Sequence, residues 1–333
     1  MTIVVTGAAG FIGANIVKAL NARGDRDVIA VDRLGTGDKF ANLAECDIAD
    51  YLEADEFADR LADGDFDGEL EAVIHQGACS DTMERDAAYM MRNNYRYSLA
   101  LLEHCQDDDV PFYYASSASV YGAGTTFVEA REHERPLNVY AYSKFLFDQR
   151  VRRTLADRTA PVAGFRYFNV YGPREAHKGR MASVVFHFHR QLAERGHVEL
   201  FEGSGGYEAG EQRRDFVSVD DAVAVALDFL DHPQRSGIFN VGSGRATTYN
   251  AVATATINAI RAREGRPPAT TEALVAEGAI RYVPFPPALA GKYQSYTCAD
   301  LAKLRAAGYS APTLTIEAGV GRYVEWLMAG DSR

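Results

Sequence analysis

Tyr140 and Lys144 stand four residues apart in the run Pro136-Leu-Asn-Val-Tyr140-Ala-Tyr-Ser-Lys144. On a helix that spacing puts both side chains on one face. A free phenol has a pKa of about 10, too high for a base at neutral pH. A lysine ammonium nearby favours the phenolate, which can then take a proton from an alcohol. Oxidising an alcohol also removes a hydride, so the pair calls for a nicotinamide ring. Upstream, a strand-like run at 111–115 ends in Ser116-Ser117-Ala118-Ser119-Val120-Tyr121-Gly122. A hydroxyl at that strand end can orient the substrate oxygen; Ser117 is assigned that part, with Ser116 as its neighbour. Tyr121 and Tyr142 read as packing or pocket-lining residues.

A Tyr-x-x-x-Lys pair is common by chance, and the elements around it give it meaning. Residues 2–6, TIVVT, read as a buried strand. Gly7-Ala-Ala-Gly10-Phe11-Ile12-Gly13 follows, then an apolar-periodic helix over 11–22. Strand, glycine turn and helix in that order form a pyrophosphate-binding corner, where glycine permits close backbone approach and the helix start offers free N–H groups. A second strand, 28–31, ends in Asp32, nineteen residues beyond Gly13, where an acid takes the ribose hydroxyls. Arg33 and Lys39 could instead accept the 2′-phosphate of NADP, which a carboxylate would repel, so the residues leave NAD and NADP both open. Asp47-Ile48 reads either as an acid-apolar pair against adenine or as a plain loop. A strand at 72–75 runs into Gln76-Gly77-Ala78, small residues suited to close approach to the cofactor. Asn93 and Asn94 fall mid-helix in a stretch expected over 81–105, which points to a buried polar role for one of them. The run at 165–173 reads as one strand leaving the sheet at its ligand-binding edge.

The fold class is therefore α/β: a doubly wound parallel Rossmann sheet with a smaller C-terminal α/β substrate-binding domain. At 333 residues the chain exceeds what one core usually serves. The expected division is 1–170, with 215–244 returning, for the dinucleotide, and 171–214 with 245–333 for the substrate. A net charge of −11 argues against nucleic acid as a partner, no run is long enough to span a membrane, and no signal peptide is evident, so a cytoplasmic location is expected. The four cysteines have no C-x-x-C spacing, and His187 with His189 lack a carboxylate or thiol to complete a site, so no metal is expected.

Together the glycine corner, SSASVYG, YAYSK and RYFNVYGP resemble the nucleotide-sugar epimerase and dehydratase branch of the extended short-chain dehydrogenases. Dehydratases of that branch carry Asp-Glu where this chain has Ala118-Ser119, which argues against elimination of water. KFANL, GACSDT, YMMRNNY, GFRYFNVYGPREAHKGRMASV, LFEGS, RRDFV and LRAAGY narrow the resemblance to the ADP-heptose 6-epimerase family, over nearly the whole chain. That resemblance implies inversion at C-6″ of ADP-heptose, for the lipopolysaccharide inner core, through a 6″-keto intermediate. It implies tightly held NADP, with Arg33 and Lys39 near the 2′-phosphate, and a homo-oligomer, a pentamer. It places Phe11, Ile12, Ala54, Cys79, Ser80, Asn93, Val170 and Lys178 with the glycine corner, Asp32, Gln76-Gly77-Ala78 and Lys144 around the cofactor. On its own spacing Lys178 reads as a loop lysine that attracts phosphate; the resemblance makes it a second acid-base group opposite Tyr140. Substrate contacts are implied for Ser117, Asn169, His187, Phe201, Glu202, Gly203, Ser204, Arg214 and Tyr293, and for Arg180, which stands where relatives often have serine. Extra residues near 205–211 and 263–279 read as loop insertions. A UDP-hexose 4-epimerase, a net reductase and a non-catalytic dinucleotide sensor are the rival readings.

Overall fold

The strand Thr2–Thr6 (β1) buries both faces, Ile3 and Val5 in one apolar cluster and Val4 in another. A central parallel strand covered by helices on each side needs that pattern. In the computed structural model, which describes residues 1–286 and 294–330, this strand lies inside a seven-stranded sheet. The strands that follow are β2 (Val28–Asp32), β3 (Asp50–Glu53), β4 (Leu70–His75), β5 (Phe112–Ser117), β6 (Val162–Tyr167), β7 (Asn169–Tyr171), β8 (Val198–Phe201), β9 (Arg213–Ser218), β10 (Gly237–Val241), β11 (Ala246–Thr248) and β12 (Ile280–Val283). The large sheet runs β10-β6-β5-β4-β1-β2-β3, every pairing parallel. Its order reverses between β1 and β4, and a ligand crevice is expected outside the strand C-termini there.

One face of the sheet packs on helices Phe11–Arg23 and Val219–Asp231, the other on Ala54–Ala62, Tyr97–Asp107 and Val139–Asp157. A third apolar cluster gathers helices Val184–Arg195, Tyr249–Arg263 and Ile316–Met328 with β8 and β12. A small sheet, β11-β9-β7, carries β7 parallel to β9. No helix among the described residues is long and apolar enough to cross a membrane.

Three local readings change. The run at 165–173 is two strands: β6 stays in the large sheet, Phe168 breaks the run by donating its N–H to Val241, and β7 joins β9. The helix expected from 81 starts at Ala87, because the Asp81 carboxylate takes the Met83 N–H and Glu84 takes those of Arg85 and Asp86. Side chains that bind nearby backbone N–H groups compete with helix formation in this way. From Met91 to Arg96 that helix widens into a π turn centred on the Asn pair. The segment expected as a loop insertion at 263–279 contains the helix Thr271–Ala276, whose Leu274 is fully buried.

The elements that position the catalytic run meet at a buried ionic cluster. Asp148, one turn beyond Lys144, accepts from Tyr114 Oη (2.9 Å), Ser116 Oγ (3.0 Å) and Arg166 Nε (2.9 Å). Arg166 also pairs with Glu134, which Arg152 holds from outside at 2.8 Å. Removing one partner of a buried pair leaves the others uncompensated. Arg166→Met should therefore lower the unfolding free energy by about 3–5 kcal/mol, read from the denaturation midpoint; a fall of less than half that would show Asp148 and Glu134 to be stabilised without it.

Candidate active site

Asn138 accepts the Ala141 N–H at 2.8 Å and so starts the helix Val139–Asp157, leaving Tyr140 in its first turn. β5 delivers Ser116 and Ser117 with opposite orientations, as strand alternation requires. Ser116 is bound to buried Asp148, whereas Ser117 lies near enough to the Tyr140 phenol to hold its pKa down. Lys144 is buried and gives a hydrogen bond to the Ala115 carbonyl at 2.8 Å. Burial pulls its pKa down to about 8, with Asp148 opposing. Burial pushes the Tyr140 phenol up, the Ser117 hydroxyl opposing and the Cys79 thiol adding to the rise.

These groups line a crevice of about 490 Å³ over the β1/β4 switch. Gly7, Gly10, Phe11, Ile12, Gly13, Asp32, Lys39, Gln76, Gly77, Ala78, Cys79, Ser80, Val170, Lys178 and Arg180 share its walls with Ser117, Tyr140 and Lys144. A smaller compartment of about 200 Å³ shares Gly7, Asp32 and Lys39 with it and adds Arg33, Ala54 and Asn93. Apart from Asp47 and Ile48, the residues expected at the cofactor lie on one of these two adjoining walls. Tyr142 does not; it is exposed, while Tyr121 is buried and donates to Asn240 at 2.6 Å.

The corner fits a dinucleotide. Gly7 has φ +66°, and a Cβ there would lie 2.6 Å from the Gly77 nitrogen; at Gly13 it would lie 2.1 Å from the Gly7 carbonyl oxygen. Gly10 gives the helix Phe11–Arg23 no capping side chain, so its first N–H groups are available to phosphate. Both amide atoms of Gln76 are buried beside the crevice without a protein hydrogen bond among the described residues. Asp32 accepts the Ala9 N–H (2.8 Å) and pairs with Lys39, and Arg33 pairs with Asp55 and donates to Asn93 at 2.6 Å.

Asp47 belongs elsewhere. Its carboxylate pairs with Arg26 and its N–H binds Asn21, at the C-terminal end of the helix Phe11–Arg23. That is the opposite end of the sheet from the crevice, so the pair Asp47-Ile48 does not face an adenine pocket; the β2–β3 pairing begins just after it and turns it away.

The two asparagines divide their work. Asn93 meets Arg33, while fully buried Asn94 accepts the Cys79 N–H (2.8 Å), donates to the Cys79 carbonyl (2.9 Å) and reaches Ser143 at 3.2 Å. The π turn thereby ties the 76–80 wall to the catalytic helix, as such turns commonly do at functional sites. Asn94 is thus the member of the pair that fills the buried polar role expected for one of them.

A segment from Gly172 to Met181 crosses the crevice. Asn15 and Asn42 bind the Pro173 and Arg174 carbonyls (3.0 and 3.2 Å), Arg174 pairs with Glu45 at 2.6 Å, and buried Glu175 accepts from Ser183 Oγ at 2.6 Å. On the far bank Arg180 pairs with Asp81 at 2.6 Å. Lys178 lies between, its ammonium 5.1 Å from the Phe11 ring centre; burial lowers its pKa and Glu175 opposes. Asn42 and the positions flanking Lys178 escaped the sequence reading because their contacts span more than a hundred residues.

Other expected substrate residues lie beyond the described lining of this crevice. Asn169 neighbours Val170 on β7 and pairs with Phe216 of β9, two residues after Arg214. The turn Phe201-Glu202-Gly203-Ser204 is stitched to the start of β9 by Gln212, which donates to the Glu202 carbonyl (3.0 Å) and to Ser204 (3.1 Å). His187 stands one turn into the helix capped by Ser183. Tyr293 lies outside the described residues. After Ser117, Ala118 and Ser119 offer no carboxylate, and the acids among the described lining residues, Asp32 and Asp81, are both paired.

The pattern of the NAD dependent epimerase/dehydratase family matches residues 3–242. A protein of Thiobacillus denitrificans, ADP-L-glycero-D-manno-heptose-6-epimerase, is 63% identical over 325 residues, covering 98% of each chain. The crystal structure of the Helicobacter pylori ADP-L-glycero-D-manno-heptose-6-epimerase is similar with a TM-score of 0.80 at 28% identity, over 98% of this chain and 96% of that one. That of the Thermus thermophilus UDP-glucose 4-epimerase in complex with NAD gives 0.76 at 26% identity, over 98% of each.

Lys144 gives a prediction independent of any substrate. Its folded pKa, about 8, lies below the ordinary lysine value of 10.5. Between those values the unfolded chain holds a proton that the folded one has released, so stability from this group rises with pH across that window. Below pH 8 the buried charge is a full penalty. Lys144→Met should melt at a higher temperature than the unaltered protein at pH 7, the gap narrowing by pH 9.5; equal melting at pH 7 would show the charge to be well solvated by its carbonyl partner.

Proposed function

The chain belongs to the NAD dependent epimerase/dehydratase family, and from that footing we propose that it inverts C-6″ of ADP-D-glycero-D-manno-heptose to give the ADP-L-glycero-D-manno form. The observation that carries this reading is that two proton-handling groups on different elements, Tyr140 and Lys178, line one dinucleotide-shaped crevice. An inversion by oxidation and re-reduction needs an acid-base group for each face of the carbon. The 63% identical relative supports the choice of sugar.

The glycine corner and the Gln76–Ser80 wall would hold a dinucleotide, which would supply hydride acceptance and return. Ser117 holds the C-6″ oxygen and Tyr140 accepts its proton as the carbon becomes a ketone. Lys144, held by the Ala115 carbonyl one helical turn away, supplies the positive charge that stabilises the phenolate. After the ketone has turned, Lys178 gives the proton to the oxygen from the other side. Burial lowers its pKa, so it gives up a proton more readily than an exposed lysine. Asn169, His187, Phe201–Ser204, Arg214, Tyr293 and Arg180 would take the ADP-sugar, with arginine meeting the diphosphate through paired N–H bonds. The cofactor would be NADP: Lys39 and Arg33, now paired with Asp32 and Asp55, are the cations that would meet a 2′-phosphate at this corner. We also assign residues 1–170 and 215–244 to the dinucleotide and 171–214 and 245–333 to the sugar, in a cytoplasmic homo-oligomer, a pentamer by resemblance.

Incubation with ADP-D-glycero-D-manno-heptose, followed by NMR at C-6″, should show inversion without net consumption of NADPH. Inversion of a UDP-hexose at C-4 in its place would favour the rival epimerase. Tyr140→Phe and Lys178→Met should each slow the reaction about a hundred- to ten-thousandfold while the protein still retains dinucleotide. Near-normal turnover of Lys178→Met would sink the second base. Acid extraction of the bound cofactor, assayed for a 2′-phosphate, decides NADP against NAD.

A further inference from the structure

The run Pro173-Arg-Glu-Ala-His177-Lys178-Gly-Arg180 gives two residues to the chemistry above and leaves His177 unused. Its ring is in the wall of the crevice. Asn42 holds it there. Asn42 lies three residues after Lys39 on the 3-10 helix Asp38–Leu43, so the two side chains share one edge. The nitrogen of the Asn42 amide, 4% exposed, shares its two hydrogens among the Ala9 carbonyl (2.9 Å), the Arg174 carbonyl (3.2 Å) and His177 Nδ1 (3.1 Å). In the tautomer that accepts a share at Nδ1, the ring proton sits on Nε2.

Burial pulls the imidazole down to about 4; Lys39, from the 3-10 helix, and Lys178, from the same segment as His177, add to the fall, and Asp32 and the Arg174 carbonyl oppose it. The acid on the facing strand end, Asp32, is paired with Lys39, and Arg174 is paired with Glu45. At neutral pH the site therefore shows an uncharged N–H donor between two ammonium groups, beside the uncapped start of the helix Phe11–Arg23. Such a set is complementary to an oxyanion with several oxygens. Asp32 already matches Lys39, but a neutral sugar or an apolar ring would leave the Lys178 ammonium, in no ion pair among the described residues, without an anion.

We propose that His177 is a further cofactor-binding residue, its ring N–H donating to a phosphate oxygen of the dinucleotide. The proposal rests on the dinucleotide reading above. In the test, purified protein is loaded with NADPH or NADH and chased with excess NADP, and loss of nicotinamide fluorescence reports release. His177→Ala should speed release about ten- to a hundredfold, the size of one hydrogen bond to a charged oxygen. His177→Gln, whose amide N–H falls near the Nε2 position, should restore most of the retention. Acceleration for both dinucleotides identifies the pyrophosphate as the partner, and acceleration for NADPH alone identifies the 2′-phosphate. Unchanged release in the alanine variant overturns the proposal. So does a glutamine variant that releases as fast as alanine and melts equally early, since that marks a packing role. If the unaltered protein holds NADH longer than NADPH, the NADP reading falls, while the effect of His177 is still read on NADH.

Discussion

A carboxylate shut away from water, Asp148, ties together the three elements on which the proton chemistry stands. Tyr114 and Ser116 reach it from β5, Arg166 from β6, and it sits on the same helix as Tyr140 and Lys144. The spacing between Ser117 and Tyr140 depends on the distance from strand to helix, and that distance is set by these bonds. Arg166 and Arg152 balance the two acids Asp148 and Glu134 in a place where an isolated ion would cost several kcal/mol, of order the stability of a whole domain. The same site lets Lys144 stay buried one turn away.

The opposite wall is held by neutral hydrogen bonds. Thr6 Oγ1 and Ser98 Oγ bracket His75 at 2.6 and 2.7 Å, and Ser98 donates onward to the Asn94 carbonyl. Burial keeps this imidazole uncharged, pulled down to about 3. The chain of bonds runs from β1 through β4 into the π turn, and Asn94 extends it to Cys79 and Ser143. Both walls are thus braced from beneath by side chains that touch no ligand.

Much of this was legible in the sequence because it is local. The strand-glycine-helix corner, the acid after β2 and the Tyr-x-x-x-Lys helix each need only a short window, and their positions in the fold follow from chain order. The doubly wound sheet follows from the same alternation. What was misread depends on distant partners. Asp47-Ile48 has the right residue types for adenine, but its register beside β2 carries it to the wrong end of the sheet. The break at Phe168 exists because β10, seventy residues later, supplies the carbonyl that takes its N–H. The residues at 263–279 have a loop's composition, yet Leu274 is buried and Arg261 meets Glu277 at 3.1 Å, so the length is absorbed by a helix and not by a mobile turn.

The crossing segment 172–181 is unevenly fastened. Its first half is seated by Asn15, Asn42, Glu45 and the buried Glu175, while its far end rests on one ion pair in which Arg180 is 67% exposed. Exposed pairs contribute about 0–1 kcal/mol. Lys178 thus lies on one stretch of backbone between a firm anchor, Glu175 with Ser183, and a soft one, the pair of Arg180 with Asp81.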